Sequence, residues 1–467
     1  MKFEEDRGLA TAKAEEDQVE LRFDLMRLDR RTGDVTAELT AVFVNGSTEL
    51  LHRTRLSLLS TRSLTEVARH LQQRHPGPNW PELLEEASYK VVDSQRRGRP
   101  AILLRDAIEP PAQGWIVEPL LQADEPTVLF GDGGSGKSQL ALALAASIHT
   151  GRNLAGFEVT RTMRTAFLDW EWTDWRHRRR LEALWGSGEL PDLAYVPCQA
   201  EGPLSQQVDR VRRELRKHQA EFVVIDSVAL GCDGPPEEAQ SALNFFQALA
   251  RLEVTSLLVA HVNRSGDIDK PFGSAFWHNN ARATWYVKRV QEVEGTTLDL
   301  ALLHKKGNDG RLEAPIGLRI DFGARGTHSI TAPRTAIRRV NLREVPELAD
   351  QVPLKDRIAD LLAGRTPLKI HEIGELLSAK QDTVDRTLRR YEGKLFERDL
   401  TEPDRVSRWK RTGAPDTTGQ LSAGLPATEA DTLVRPPLGD ASVRPTEPRP
   451  DEGIQNLLGL SGPSHRE

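Results

Sequence analysis

The stretch Pro126-Thr-Val-Leu-Phe130, followed by Gly131-Asp-Gly-Gly-Ser-Gly-Lys-Ser138, decides the fold. Its first part is a short apolar run, as expected for a strand that is covered on both faces of a parallel sheet. Its second part matches the pattern G-x-x-x-x-G-K-S/T, and a helix with Leu140, Leu144 and Ile148 on one face follows. This order of strand, glycine-rich loop and helix predicts a loop that binds phosphate groups.

The loop contains the groups that hold a nucleoside triphosphate. Its glycines let successive backbone N–H groups converge on phosphate oxygens, and the helix N-terminus adds positive potential. Lys137 is expected to reach the β- and γ-phosphates, and the Ser138 hydroxyl to bind Mg²⁺. The expected cofactors are therefore ATP and Mg²⁺. The predicted nucleotide-binding residues are Gly131, Asp132, Gly133, Gly134, Ser135, Gly136, Lys137, Ser138 and Gln139.

Further apolar runs alternate with helical patterns after this loop. Repeated strand–helix units predict a doubly wound α/β domain with a mainly parallel sheet over residues 115–335. The stretch 284–304 predicts an antiparallel extension of that sheet, joined by a glycine turn. The predicted strands after the first lie at 165–169, 193–197, 222–226 and 256–260.

The run 222–226 ends in Asp226, a carboxylate at the sheet edge where phosphate-binding α/β folds hold their metal ion. Asp226 and Ser138 are therefore the predicted Mg²⁺-binding residues. The alternative is an aspartate that only caps the turn after the strand.

The second strand ends in Asp169-Trp-Glu171, and this ending resembles the RecA-type ATPase core. In that core a glutamate at this position polarises the water that attacks the γ-phosphate. The resemblance makes Glu171 the candidate general base, with Asp169 as the alternative and a merely solvated loop carboxylate as the third reading. His261 directly follows the run 256–260 and resembles the γ-phosphate sensor of RecA-type hexameric helicases. A hydrogen-bonded structural histidine is the alternative.

Together these motifs resemble the RepA type of hexameric replicative helicase encoded by plasmids and phages, over about residues 115–322. The resemblance implies a RecA-like P-loop core, a homo-oligomer in the form of a hexameric ring, and movement on DNA. In such rings basic groups of one subunit complete the neighbour's site, which makes Arg282 and Lys306, with Lys305, candidate trans-acting catalytic cations; surface charge is the alternative. The chain departs from the family at Arg264, where lysine is usual.

Single positions disfavour three other P-loop classes. Ser227 follows Asp226, whereas AAA+ ATPases carry a glutamate there. Asp132 stands where partition ATPases of the ParA type need lysine, and the chain has no Asn-Lys-x-Asp run to read guanine. These positions favour an ATPase of the RecA type.

The segment from Arg264 to Asn280 is the candidate contact for single-stranded DNA. Basic side chains interleaved with aromatic rings suit a single strand, because bases stack on the rings while cations hold phosphates. The alternative is that Phe272 and Trp277 pack into the core. The predicted DNA-binding residues of this segment are Arg264, Lys270 and Trp277.

Residues 353–412 have the pattern of a winged helix. Three helices precede a strand–turn–strand, and the third helix places Val384 and Leu388 inward. Between 354 and 412 there are 14 Lys and Arg against 11 Asp and Glu, a local excess of three positive charges in an acidic chain. This favours binding to duplex DNA over docking to a protein. The predicted duplex contacts are Arg386, Arg389 and Arg390.

The two ends of the chain differ. Residues 1–110 predict a small α+β domain, with a hairpin and two helices but no catalytic constellation. Residues 413–467 contain eight prolines and no aromatic residue, so a disordered tail is expected. The tail has a short apolar cluster at 454–460, which is either a docking motif for a replication partner or a frayed end.

Composition limits the classes of function. The chain has 467 residues and a formal net charge of 63 − 69 = −6, which gives no global field toward nucleic acid or membranes. Two cysteines exclude a disulfide framework or a four-thiolate zinc site, and the first residues lack an apolar signal core. We expect a cytoplasmic protein that does not span a membrane.

Three functions fit these patterns. The first is an ATP-driven DNA motor, a ring-forming replicative helicase of a mobile element. The second is a switch that assembles on DNA with ATP and is reset by hydrolysis, without unwinding. The third is a RecA-like recombination or repair factor.

Overall fold

The computed structural model describes residues 1–98, 101–106, 114–186, 189–262, 271, 273–290, 295–308, 310–323, 335–363, 366–399 and 408–412. All of them belong to one compact unit, Met1–Val434. The predicted disordered tail, 413–467, lies outside the described residues, so that expectation stays a prediction. No helix in the described ranges is both long enough and apolar enough to cross a membrane.

The N-terminal part is an antiparallel sheet with two helices, as the sequence predicts. Five strands follow one another as a meander, in the order β1-β2-β3-β4-β5. Their inward residues, such as Phe23 and Leu39, pack with Trp80 and Leu84 of the second helix in one apolar core. The elements are β1 (Lys2–Asp6), β2 (Leu9–Ala14), β3 (Val19–Leu28), β4 (Val35–Asn45), β5 (Ser47–Ser57), α1 (Thr61–Arg74) and α2 (Trp80–Arg97).

The central part alternates strands and helices. Its elements are β6 (Trp115–Glu118), β7 (Leu121–Gln122), β8 (Pro126–Gly131), α3 (Lys137–Thr150), β9 (Glu158–Val159), β10 (Thr165–Asp169), α4 (Asp174–Trp185), β11 (Ala194–Pro197), α5 (Leu204–Lys217), β12 (Phe222–Asp226), α6 (Val228–Gly231), α7 (Ala239–Ala250), β13 (Thr255–His261), α8 (Ala275–Asn280), β14 (Ala283–Val290), β15 (Thr297–Gly307), β16 (Ile316–Asp321) and β17 (Ala336–Val340).

Among the described residues, nine of these strands form one sheet in the order β11-β10-β12-β13-β8-β14-β15-β16-β17. The strands from β11 to β14 are parallel, and β14 to β17 are antiparallel. The predicted α/β class with a mainly parallel sheet is thus confirmed, and so is the antiparallel extension. A smaller sheet of three short strands, β7-β6-β9, lies beside it.

Both faces of the large sheet are buried, which explains why its strands are apolar without alternation. Successive residues point to opposite faces, so Phe167 packs in the core with α3 and α4 while Leu168 packs in the core with α5 and α7. On α5, Leu204, Val208, Val211 and Leu215 recur at a spacing that places them on one helix face, and all four are buried. The sheet is therefore the middle layer of a three-layer domain.

The C-terminal part has three helices and a two-stranded antiparallel sheet, in the predicted order. Val384 and Leu388 are fully buried, together with Phe396 and Trp409 of the small sheet. The exposed side of the third helix carries its arginines. The elements are α9 (Leu354–Leu362), α10 (Ile370–Leu376), α11 (Gln381–Arg390), β18 (Phe396–Asp399) and β19 (Arg408–Arg411).

Candidate functional site

The carboxyl ends of β8, β10, β12 and β13 lie at one edge of the sheet, because these strands are parallel. Asp169 of β10 pairs with Asp226 of β12, and His261 of β13 pairs with Gly131 of β8. The glycine-rich loop follows β8 directly at the same edge. The topology therefore brings residues that are far apart in sequence to one edge of the sheet. Ligands of open α/β sheets bind at this edge, beyond the carboxyl ends of the strands.

The loop needs its glycines for two physical reasons. Gly134 and Gly136 have φ angles of +70° and +79°, a region that other residues rarely adopt. A Cβ atom on Gly131 would lie 2.5 Å from the carbonyl oxygen of Val287. The neighbouring strand β14 thus packs directly against the backbone of the loop and supports its shape.

Lys137, the first residue of α3, points back into the loop. Its Nζ donates to the carbonyl oxygens of Gly131 and Asp132, at 2.9 and 2.7 Å, and to Ser135 Oγ at 3.3 Å. Burial lowers the pKa of Lys137 to about 8, although Asp226 and Glu171 oppose this shift. An ammonium group that is buried and bonded only to neutral oxygens has a strong affinity for an anion such as phosphate.

Asp226 fits a metal ion. Burial raises its pKa to about 6, and a hydrogen bond with Ser138 opposes that rise. Its Oδ2 atom is buried and has no hydrogen-bond partner among the described residues. An unpartnered carboxylate oxygen beside a serine hydroxyl is a suitable pair of ligands for Mg²⁺, which prefers oxygen donors.

Glu171 lies next to His261, with 3.5 Å between Oε1 and Nε2. The hydrogen bond from His261 lowers the pKa of Glu171, burial opposes the shift, and Ser227 adds to it. Because its pKa is lowered, Glu171 is ionised at neutral pH and can accept a proton. The structure thus brings together the candidate base and the candidate sensor.

Asp169, the alternative base, has a different environment. Its carboxylate is fully buried and accepts hydrogen bonds from His177, Tyr195 and the backbone N–H groups of Glu171 and Trp172. These donors occupy the lone pairs that a base would need. The structure therefore separates the two carboxylates and favours Glu171.

Sequence reasoning missed two arginines at this edge. Arg289 of β14 donates from Nη1 to the carbonyl oxygen of Gly134 at 2.8 Å. The Arg180 guanidinium stacks 3.9 Å from the Trp172 ring centre; burial lowers its pKa, while Asp226 raises it. Neither residue is part of a motif, and both reach the site only through packing between elements.

The candidate trans-acting cations differ in their contacts. Arg282 is exposed, and its Nε lies 3.4 Å from Glu125 Oε1. Lys306 donates from Nζ to the carbonyl oxygens of His278 and Asn279, at 3.0 and 2.8 Å, and also to Ala281. Lys306 thus stabilises the C-terminal end of α8 within its own subunit.

Lys305, the third candidate, lies 5.9 Å from the ring centre of Tyr286. This is a cation–π distance within the same subunit.

The candidate single-strand contacts are only partly described. Trp277 is 2% exposed, packs against Phe245 and Phe246, and donates its indole N–H to the Pro236 carbonyl at 2.8 Å. The prediction that Trp277 stacks on bases is therefore wrong for this structure, because its ring belongs to the core. Arg264, Lys270 and Phe272 lie outside the described residues.

The candidate duplex contacts lie on the exposed face of α11. Arg386, Arg389 and Arg390 are all exposed, and Arg389 forms an ion pair with Asp385 one turn earlier, at 2.9 Å. They form a basic helix face opposite the buried Val384. This placement is the one predicted; their binding to DNA stays a prediction.

A family model described as an AAA domain matches residues 96–267. No curated protein sequence matches the chain. Among solved structures, the KaiC-like protein PH0186 from the hyperthermophilic archaeon Pyrococcus horikoshii OT3 is similar, with 15% identity and a TM-score of 0.35 over 50% of this chain and 97% of that chain. The family match and the loop geometry support a P-loop ATPase domain in the central part.

Replacing Lys137 by alanine should abolish ATP turnover, because the phosphates lose the cation that lies inside the loop. We expect the rate of phosphate release to fall by at least about 10²-fold, which corresponds to roughly 3 kcal/mol of barrier. Lys13→Ala, which removes an N-terminal lysine paired with Glu4, is the control and should hydrolyse ATP at the wild-type rate. Wild-type turnover in Lys137→Ala would place the active site elsewhere.

Proposed function

We propose that the chain is a Mg-ATP-hydrolysing DNA motor of the RecA type, acting as a hexameric ring in the replication of a mobile element. The observation that carries the proposal is the meeting, at one sheet edge, of the Lys137 ammonium, the unpartnered Asp226 carboxylate and the Glu171–His261 pair. These groups supply a phosphate cation, a metal ligand and a base with an adjacent sensor. The motif order that resembles RepA-type helicases extends this ATPase chemistry to a motor.

Each group has one part in hydrolysis. When ATP binds, hydrogen bonds from Lys137 Nζ to oxygens of the β- and γ-phosphates replace those to the loop carbonyl oxygens. Ser138 and Asp226 would hold the Mg²⁺ ion, which would neutralise charge on the phosphates. Glu171 accepts a proton from the water that attacks the γ-phosphate in line; the bond between the γ-phosphorus and the bridging oxygen breaks, and ADP leaves with that oxygen. The reaction needs no covalent intermediate on the protein.

His261 connects the nucleotide with the segment proposed to bind DNA. Its ring contacts Glu171, and the chain continues from His261 and Val262 directly into that segment. Loss of the γ-phosphate changes the charge next to the Glu171–His261 pair, so this pair is the proposed relay. Arg264 and Lys270 remain the proposed single-strand contacts.

The C-terminal part supports a winged-helix module. Its third helix buries Val384 and Leu388 and exposes three arginines, and the small sheet β18–β19 stands where a wing would lie. We propose that this module binds the duplex ahead of the ring. Docking to a protein is the alternative. The tail 413–467, as a docking site for a replication partner, remains a proposal from sequence alone, as does a cytoplasmic location.

In the proposed ring, a cation of one subunit would lie in the nucleotide site of the next subunit. Of the candidates, Arg282 is best placed for this role, because its side chain is 52% exposed. Lys306 already binds three carbonyl groups of its own subunit. We therefore propose Arg282 as the principal trans-acting cation, with Lys306 as a secondary one.

A switch that assembles on DNA without unwinding it is the second candidate function. The buried ring of Trp277 favours it, because the proposed pore segment loses one base-stacking residue. A recombination or repair factor shares the same ATPase site and would form filaments. The three functions differ in what hydrolysis does to DNA.

Glu171→Gln separates motor from switch. The substitution keeps the size of the side chain but removes the proton acceptor, so hydrolysis should fall by about 10²–10⁴-fold, roughly 3–5 kcal/mol, while ATP still binds. In a motor, unwinding of a forked duplex by the wild type should vanish in the variant, while DNA affinity persists. A fork assay and a phosphate-release assay measure both. Wild-type protein that hydrolyses ATP on DNA but never opens a fork would favour the switch.

Mixing experiments test the shared site. Arg282→Ala and Lys137→Ala subunits should restore part of the turnover when mixed, because some interfaces then combine an intact loop with an intact cation. Arg338→Ala, an exposed arginine on β17, is the control and should be active without mixing. If hetero-oligomers form and turnover stays absent, Arg282 does not act in trans.

Replacing Arg386, Arg389 and Arg390 together by alanine should weaken duplex binding and flatten its salt dependence. Each lost phosphate contact lowers the slope of log affinity against log salt by about 0.9. The matched control removes three exposed arginines of the N-terminal part, Arg55, Arg62 and Arg69, and should keep the wild-type slope. Equal slopes in both triple variants would favour protein docking for the C-terminal module.

A further inference from the structure

The last residue of β10, Asp169, is the centre of a buried hydrogen-bond network. Its Oδ1 accepts from the backbone N–H groups of Glu171 and Trp172, at 2.9 and 3.1 Å. Its Oδ2 lies 2.8 Å from Nε2 of His177 on α4 and 3.1 Å from the hydroxyl of Tyr195 on β11. Three elements and the turn that carries the candidate base are thus joined through one carboxylate.

The network holds a charge that its donors stabilise. Burial alone would raise the pKa of Asp169, but the hydrogen bonds from His177 and the two backbone N–H groups together lower it. The Nδ1 atom of His177 is buried, and none of the described residues bonds to it. A proton on Nδ1 would be buried without an acceptor, whereas a proton on Nε2 is donated to Asp169.

Two hydrogen bonds donated by Trp170 also hold this turn. The backbone N–H of Trp170 donates to the carbonyl oxygen of Asp226 at 2.7 Å, and its indole N–H donates to the carbonyl of Gly202 at 3.0 Å. Glu171 is therefore the one side chain of this turn that is directed at His261 and Ser227. The direction of the Glu171 side chain depends on the backbone of this turn, which is hydrogen-bonded to the Asp169 carboxylate and to the Asp226 carbonyl oxygen.

We propose that Asp169, His177 and Tyr195 are positioning residues that hold the turn 169–172 so that the Glu171 carboxylate faces the attacking water. This inference rests on the proposed role of Glu171 as the general base. In this proposal none of the three contacts the nucleotide or accepts the proton of the attacking water. They act by limiting the backbone freedom of Glu171, since a misplacement of about 1 Å can lower a rate by about 10²-fold.

The amide variant Asp169→Asn tests this role. Asparagine has the same shape as aspartate, but its NH₂ group would face the Nε2–H of His177. Two donors would then face each other, and the His177 N–H would lose its acceptor. We expect kcat for ATP hydrolysis to fall by about 10- to 100-fold, with KM changed by less than about 3-fold, because nucleotide binding depends on other groups.

The control is a second His–Asp pair of the same domain. His149 and Asp192 are joined by a 2.6 Å hydrogen bond, and the backbone N–H of Thr165 at the opposite end of β10 bonds to the same histidine. Asp192→Asn should therefore leave kcat unchanged. An equal loss in both variants would show only a general effect of breaking such pairs.

The double variant decides whether Asp169 acts through Glu171. If it does, Asp169→Asn should have no further effect on the residual turnover of Glu171→Gln, because the group that it positions is already removed. A merely structural role predicts that the two losses multiply. Multiplying losses would overturn the proposal. Full turnover in Glu171→Gln alone would instead refute the proposed general base, so the two failures are distinguishable.

Histidine variants repeat the test without changing Asp169. His177→Gln keeps an N–H donor near the position of Nε2 and should retain kcat within about 3-fold, whereas His177→Leu removes the donor and should lower kcat by about 10-fold. Thermal unfolding and binding of a fluorescent ADP analogue are measured alongside. Equal kcat values for His177→Gln and His177→Leu would overturn the proposal. This test remains valid if Asp169→Asn fails to fold.

Discussion

The burial of opposite charges at the carboxyl edge of the sheet is the constraint on which the rest of the site depends. Desolvation lowers the pKa of Lys137 to about 8 and raises that of Asp226 to about 6. Both shifts disfavour the charged forms, yet at neutral pH both groups are still mostly charged, because 7 lies between the two values. The edge therefore keeps a cation and an anion that lack full solvation, and this makes phosphate and Mg²⁺ favourable additional partners.

The layers of the domain make that burial possible. Apolar side chains on both faces of β8, β10 and β12 keep water away from the strand ends, and β14 supports the loop backbone from the side. The Asp169 carboxylate also contributes hydrogen bonds at this edge, since it accepts the backbone N–H groups of Glu171 and Trp172. The domain thus combines an apolar core with a few buried polar groups whose hydrogen bonds are satisfied. These hydrogen bonds make the carboxyl edge of the sheet rigid.

The N-terminal sheet contacts the ATPase domain away from this edge. Arg7 donates to the carbonyl oxygen of Ala220, just before β12, and Arg216 of α5 donates to the backbone of Arg7. Arg27 pairs with Asp209 on the same helix. The Arg7 contact thus lies near the amino end of β12, whereas the glycine-rich loop lies at the carboxyl edge of the sheet.

The sequence by itself determined the local features: the glycine-rich loop, the strand ending in Asp226, the stripe on α5 and the inward residues of α11. Each depends on residues close in the chain, for which spacing is a sufficient signal. Only the tertiary structure showed that the Trp277 ring of α8 is buried against Phe245 and Phe246 of α7, and that Lys306 bonds the end of α8. It also shows the different surroundings of the two candidate bases, since Asp169 is enclosed by hydrogen-bond donors whereas Glu171 faces His261. The reason is that long-range packing sets solvent access and hydrogen-bond partners, and a linear pattern contains neither.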